Sequence, residues 1–228
     1  MSKRIHHRGA ALLIVLVVLS AAMAAERLRV PPVDEAGRDL TLVKFRDRLE
    51  QAVKQQDLAA LRQALHRNAV FTKDGAAGMQ AFVRNWRPNS PDTELWSTLD
   101  RILKMGGGFI RSERGVAFCA PYVFTDFPDQ LERRNHAVVT ASGANLRDLP
   151  NSDSRRLTTL YYDVVEVADW QPVPDTRLGA ERRWIKVTTL SGKSGYVLAD
   201  LVQSPSDDHA CFTNIRGTWY ITSLIGDH

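Results

Sequence analysis

Apolar positions along this chain recur at two different periods, and the change between them divides it. From residue 39 to residue 104 they fall three and four apart. Leu42, Phe45, Leu49, Ala52 and Val53 make one apolar helix face. Asp57 suits the N-cap of a second helix carrying Leu58, Leu61 and Leu65. Ala69-Val70-Phe71, between Asn68 and Lys73-Asp74-Gly75, is a short apolar run that reads as a strand. Met79, Phe82, Val83 and Trp86 predict a third helix. Ser90-Pro91-Asp92 places a proline at the first position of a fourth, which would bury Leu95, Trp96, Leu99, Ile102 and Leu103. Gly106-Gly107-Gly108 ends it.

Beyond those glycines the period shortens. Residues 109–112 and 116–119, around a turn at Arg114-Gly115, predict two antiparallel strands. Pro121 ends or bulges the second, because it cannot donate to a ladder. Residues 138–202 carry short strands punctuated by Gly, Pro, Asn and Asp, the spacing of a small all-β unit. Val165 and Val167 share one strand face, as do Ile185 and Val187, and residues 191–195 supply a hairpin turn. Residues 170–183, with Pro172, Pro174 and several charges, read as an exposed loop.

After Pro205 two more strand-like runs appear, Ala210–Thr213 and Thr218–Ile221, joined through Arg216-Gly217. Two strands alone are marginal in water, so they need a host sheet, and the one begun by residues 108–124 is available. The expected class is α+β. A helical N-terminal region with a small antiparallel sheet is split into 39–128 and 208–228, with an all-β unit at 134–205 between the halves. Residues 26–38, with Pro31-Pro32 and mixed charges, read as a linker or loosely held arm.

The N-terminus bears on the compartment. Lys3, Arg4 and Arg8 precede an apolar run from Ala10 to Leu19, and Ala22-Met23-Ala24 offers small residues for cleavage. Residues 1–25 therefore read as a secretory signal. The alternative, a retained membrane anchor, falls short of the ~20 apolar residues a span needs. Removing the signal lowers Lys plus Arg from 30 to 27 against 26 Asp plus Glu, so the formal charge drops from +4 to +1. The remaining basic pairs, Arg133-Arg134, Arg155-Arg156 and Arg182-Arg183, are scattered, which argues against nucleic acid. A periplasmic or secreted location follows, with no membrane span after cleavage.

Cys119 and Cys211 are the only cysteines. An even count in an exported chain favours a disulfide; two buried free thiols are the alternative. A bridge would close a loop of about 90 residues and staple the two halves of the split domain.

Ala144-Asn145-Leu146-Arg147-Asp148-Leu149-Pro150, then Trp184-Ile185-Lys186-Val187, then Gly195-Tyr196-Val197 and Leu201 resemble the bacterial SH3-like (SH3b) pattern: an NLR-x-x-P start, a W-x-x-V strand and a G-W/Y-V strand. The resemblance covers about a third of the chain beyond the signal. It implies a small all-β barrel and a binding role in the cell envelope, toward peptidoglycan, peptides or partner proteins. Fold by itself does not fix function. The flanking region, through residues 115–122 and 217–221, resembles exported bacterial proteins that pair an α+β domain with such a module. Its order of helices and then curved sheet is also similar to the nuclear-transport-factor-2-like cone.

Candidate binding residues are Trp184, Tyr196, Tyr161 and Tyr162. Alternation that turns Ile185, Val187 and Val197 inward turns Trp184, Lys186 and Tyr196 outward. Exposed aromatic faces suit proline-rich or sugar-like ligands. The competing reading packs each of them beneath the 170–183 loop or against the helical domain. Asn145 and Arg147 read as turn and fold residues. Trp86 and Trp96 read as core; in a cone they would line a pocket with Phe118.

No catalytic, metal or cofactor set is expected. His66, His136, His209 and His228 lack ligand spacing. Neither cysteine has a neighbouring His to serve as base. Glu132 and Asp207-Asp208 lie in polar loops, and the triple glycine lacks the GK[ST] of a phosphate loop. The expectation is a non-enzymatic envelope protein that binds a peptide, a peptidoglycan fragment or an envelope protein partner. The alternative is a small-ligand-binding or catalytic cone-like α+β domain with the SH3-like module as an accessory.

Overall fold

The structure, a computed structural model, describes residues 27–112, 115–177 and 181–226. The expected signal at residues 1–25 and His228 lie outside them, as does part of the turn before Gly115.

Local chemistry sets the helices. The Asp39 carboxylate accepts the Thr41 and Leu42 N–H groups and starts α1 (Leu40–Lys54), whose Leu42, Phe45, Leu49, Ala52 and Val53 are buried. Asp57 caps α2 (Leu58–Ala64) in the same way through Ala59 and Ala60. That helix stops one residue before the periodicity implies. Leu65 is already extended and opens strand β1 (Leu65–Val70), which is longer than the run expected at 69–71. Helix α3 (Gly78–Trp86) buries Ala81, Phe82 and Trp86 and leaves Met79 and Val83 at the surface. Helix α4 (Leu95–Lys104) starts later than Ser90-Pro91-Asp92 suggests. Thr93 Oγ1 accepts the Leu95 N–H and donates to the Trp86 carbonyl, which leaves Pro91 in a turn.

Strands β2 (Gly108–Ser112) and β3 (Gly115–Ala120) follow. The entry to β2 needs glycine: a Cβ on Gly107 would stand 2.1 Å from the Cys119 carbonyl oxygen. Pro121 ends β3, and a single turn, α5 (Tyr122–Thr125), leads away. The second unit contains β4 (His136–Val139), β5 (Ala144–Arg147), β6 (Arg156–Leu160), β7 (Val164–Glu166), β8 (Val173–Pro174), β9 (Arg183–Thr189), β10 (Ser194–Leu198) and β11 (Val202–Gln203). The chain then returns through β12 (His209–Ile215) and β13 (Thr218–Ile225).

The fold is mixed α+β with two largely antiparallel sheets. The first has the order β1-β13-β12-β3-β2, so both returning strands lie inside it, and only β1 runs parallel to its neighbour. Helices α1 to α4 cover it through one core that joins Leu42, Phe45, Leu99 and Ile102 to Phe118, Phe212 and Ile221. The second sheet has the order β11-β4-β7-β9-β10-β5-β6, with β8 beside β9, around Val139, Leu146, Leu160, Val165, Ile185, Val187 and Val197. Its path ends at β11 and β6 without a ladder between them, so the closed barrel expected from the sequence is not formed as a closed sheet. Strand β11 is only two residues long and pairs with β4 alone.

The arm at 27–38 is not loose. Val30 N–H donates to the Tyr162 carbonyl at 2.9 Å, and Val164 N–H donates to Leu28 at 2.8 Å, a short antiparallel bridge centred on Arg29 and Asp163. Further on, Glu35 N–H donates to Gly107, and Asp34 holds the buried Arg46 at 2.8 Å. Arg46 also donates to the Leu103 carbonyl at 2.7 Å, which anchors the arm to α1 and α4. A third apolar cluster lies between the units: Val30 from the arm, Tyr122, Val123 and Phe127 from one side, Val138 and Val164 from the other.

Cys119 and Cys211 face each other in the β3–β12 register and form a disulfide. The bridge spans 92 residues of sequence. In the chain-entropy account, replacing both cysteines with serine should lower the unfolding free energy by about 4–5 kcal/mol. Urea unfolding of the Cys119→Ser/Cys211→Ser protein measures this; a loss below about 1 kcal/mol would mean that the sheet closes this loop without covalent help.

Candidate functional site

The corner between β6 and β7 carries Tyr161 and Tyr162. Asp163, almost fully buried, takes the Tyr161 N–H on its Oδ2, and the Arg27 guanidinium lies 3.8 Å from its Oδ1. Tyr162 N–H donates to the Ala141 carbonyl, and its own carbonyl receives the arm. These bonds hold Tyr162 at φ +59°, in the left-handed region. Tyr161, forced outward by this corner, is 42 % exposed. The Arg29 guanidinium stands 5.8 Å from its ring centroid, within cation–π range. With Pro31, these groups line an open groove of about 540 Å³. It offers flat apolar faces beside a cation, a surface suited to extended or ring-shaped polar ligands.

Two of the four predicted binding residues therefore come together, joined by Arg29 and Pro31 from the stretch whose sequence reads as a linker or loosely held arm. No local signal marks those two. Their place depends on the arm pairing with residues 162–164, more than a hundred positions away.

Of the two readings of Trp184, the outward-facing binding residue is corrected and packing beneath the 170–183 stretch holds. Trp184 does not face solvent: it is 3 % exposed. Strand alternation does turn it away from Ile185 and Val187, but residues 173–177 fold back along β9 and cover it. Val173 pairs with Trp184, and Trp184 Nε1–H donates to Asp175 Oδ2 at 3.2 Å. Burial opposes the charge on Asp175. Hydrogen bonds from Arg177 and Trp184 outweigh that and hold its carboxyl below the usual range. Residues 173–177, within the stretch read as an exposed loop and themselves exposed apart from Asp175, thus cover Trp184. Tyr196 is half-buried and stands between Lys186 and Arg147 in the sheet register.

Trp86 and Phe118 are buried, and Trp96 lines an open concavity of about 410 Å³ with Gln56, Pro88 and Thr93. All three belong to the main core, and Trp86 Nε1–H donates to the Leu224 carbonyl. Phe118 packs on Phe109 and tilts against Phe212. Among the described histidines, His66 meets Tyr220 edge to face and His209 stacks on Phe124 with ring centroids 4.0 Å apart. Burial pushes the His209 imidazole pKa down, so it stays neutral on the ring it covers. Asp208, in the bend before β12, pairs with Arg101. Among the described residues no group of three His, Cys, Asp or Glu could hold a metal ion, and no helix is long and apolar enough to cross a membrane.

The cover on Trp184 makes a specific expectation. Asp175→Ala should uncover the indole and shift its emission to the red, read as the difference from the same protein carrying Trp184→Phe. A depressed native pKa contributes stability above the unfolded carboxyl pKa of about 3.9 and loses it as pH falls through the native value. The acid-induced red shift of the unsubstituted protein should therefore fall below the ordinary carboxylate range and be absent in Asp175→Asn. A shift at the same pH in both proteins would remove Asp175 from the account.

No protein-family model matches the chain, and neither curated proteins nor solved structures provide a match to it.

Proposed function

We propose that this chain is an exported, non-enzymatic binding protein of the cell envelope. Its SH3-like unit engages a peptide, a peptidoglycan fragment or an envelope protein partner through the Tyr161–Tyr162 corner. The observation that carries this reading is the groove itself: an exposed tyrosine, a second tyrosine held in a left-handed turn, a proline and a guanidinium within ring-stacking range. Aromatic rings offer large contact area at low conformational cost, and an adjacent guanidinium adds recognition of carbonyl or carboxylate oxygens.

Export is supported by the cleavable-signal pattern of residues 1–25 and by the Cys119–Cys211 disulfide, which persists in oxidising compartments. The SH3-like resemblance of residues 144–201 supports the binding role, although the sheet is open. Trp184 leaves the proposed surface, because it is covered by the 173–177 segment. In this reading it serves the fold and not the ligand.

The test is retention on purified insoluble peptidoglycan. The unsubstituted protein should sediment with the polymer. Tyr161→Ala combined with Arg29→Ala should lose at least ten-fold in retention while melting within a few degrees of the parent. Retention unchanged in that double variant would refute this surface, and no retention of the parent would redirect the reading to a protein or peptide partner.

A further inference from the structure

The helical unit has a concavity of its own, of about 280 Å³, where α1, α2 and the start of β13 meet. Its floor is apolar. Phe45 and Leu49 of α1 and Trp219 of β13 belong to the main core and still line this hollow. The sequence gives the hollow a local cause. Ala52 of α1 and Ala60 and Ala64 of α2 also line it, and a methyl group at each position leaves open the room that a larger side chain would fill. Ala60 and Ala64 stand four apart, on one face of α2. Trp219 is held in place, because its Nε1–H donates to Thr41 Oγ1 at 2.9 Å.

The rim is polar, and each of the three elements contributes one group. Arg48 of α1 is exposed, and among the described residues no carboxylate pairs with its guanidinium. Its own helix offers none. The positions three and four residues away hold Lys44, Phe45, Gln51 and Ala52. Lys44 even repeats the charge one turn earlier, an arrangement that works against a helix. Gln63 of α2 brings an amide and Thr218 of β13 a hydroxyl, and neither side chain has a hydrogen-bond partner among the described residues.

A small-ligand site consists of an apolar pocket with a few convergent polar groups, and this hollow has both. A guanidinium with all its N–H groups free matches a carboxylate, which it can hold through two parallel bonds. An ammonium would meet like charge from Arg48 and Lys44. The rim thus selects a negative end and the floor a hydrocarbon body. The volume is near the lower end for ligand pockets, so it suits a molecule of about ten non-hydrogen atoms.

We propose that this hollow binds a small amphipathic carboxylate. The hydrocarbon body lies on Phe45, Trp219 and the three alanines, and the carboxylate meets Arg48, with Gln63 and Thr218 as further donors. The site shares no residue with the Tyr161–Tyr162 groove and does not rest on the function proposed for that groove.

Titration of the purified protein with sodium octanoate tests this, followed by calorimetry and by the indole N–H resonance of Trp219, which Trp219→Phe identifies. Saturable binding of one octanoate per chain is expected, with the Trp219 resonance shifting in step. Octanol and octylammonium should bind at least ten-fold more weakly. Arg48→Gln, an exposed change, should weaken octanoate at least ten-fold, leave octanol unaffected and melt within a few degrees of the parent. Ala60→Leu should fill the hollow and abolish octanoate binding. Tyr161→Ala should leave it unchanged, which separates this site from the groove. Absence of saturable binding, equal affinity for the three probes, or full octanoate affinity in both Arg48→Gln and Ala60→Leu overturns the proposal. A parent that sediments as a dimer, with Ala60→Leu monomeric and no octanoate bound, assigns the hollow to a second copy and overturns it as well.

Discussion

Strand β12 has to pair with β3 after an excursion through the whole second unit, and the rest of the molecule depends on that pairing. The register places Ala210, Cys211 and Phe212 opposite Ala120, Cys119 and Phe118. The disulfide fixes this register covalently at its centre. On the neighbouring positions Phe118 and Phe212 enter the helical core, and Phe212 meets Phe45 of α1 edge to face at 5.9 Å. With β12 placed, β13 can pair along its length, and only then does β1 have a neighbour, since it touches the sheet through β13 alone. Without this return the helices would cover a two-stranded hairpin, which is marginal by itself. Loop closure over such a separation is costly, and a covalent bond removes much of that cost from the unfolded side.

The arm is the second constraint. It makes backbone bonds to the second unit at Leu28 and Val30, and to the helical unit at Asp34 and Glu35. Arg46 is buried on α1 and would be expensive there without a partner; Asp34 of the arm supplies the charge and the Leu103 carbonyl a further acceptor. The Arg46 guanidinium also lies 5.3 Å from the Phe118 ring, so the ion pair rests on the aromatic centre of the sheet. The relation between the units is therefore held by polar contacts at one end of the arm and by the Val30, Tyr122 and Val164 cluster at the other.

What could be read from the sequence was local. The Asp57 cap, the α1 and α4 faces and the triple-glycine exit all concern residues within a turn or two of one another, where period and capping act directly. The two final strands were legible for a different reason: strand-like residues after Pro205 had to join a sheet, and few sheets were available. Three features were left open between two readings or escaped because they are long-range. Trp184 obeys strand alternation, yet a proline-containing loop folds over it, and alternation says nothing about what covers the outer face. The open path of the second sheet depends on how far β11 and β6 stand apart, which no spacing of motif residues encodes. The arm looked like a linker because Pro31-Pro32 and mixed charges are typical of linkers; its partners lie at 162–164, at Gly107 and at Arg46.

The arm also explains why the candidate groove sits where it does. Pro31 lines the Tyr161–Tyr162 groove, while the next residue, Pro32, lines a cleft between the units. Proline restricts its own backbone and that of the residue before it, so this dipeptide is extended and stiff. A shift of the arm cannot move one of these residues without moving the other. Tyr162 lies near enough to Tyr122 to add to the upward push that burial gives the Tyr122 phenol. The two concavities thus share a wall made of one short extended segment. That segment is held at both ends by backbone hydrogen bonds and does not depend on the side chains of either surface.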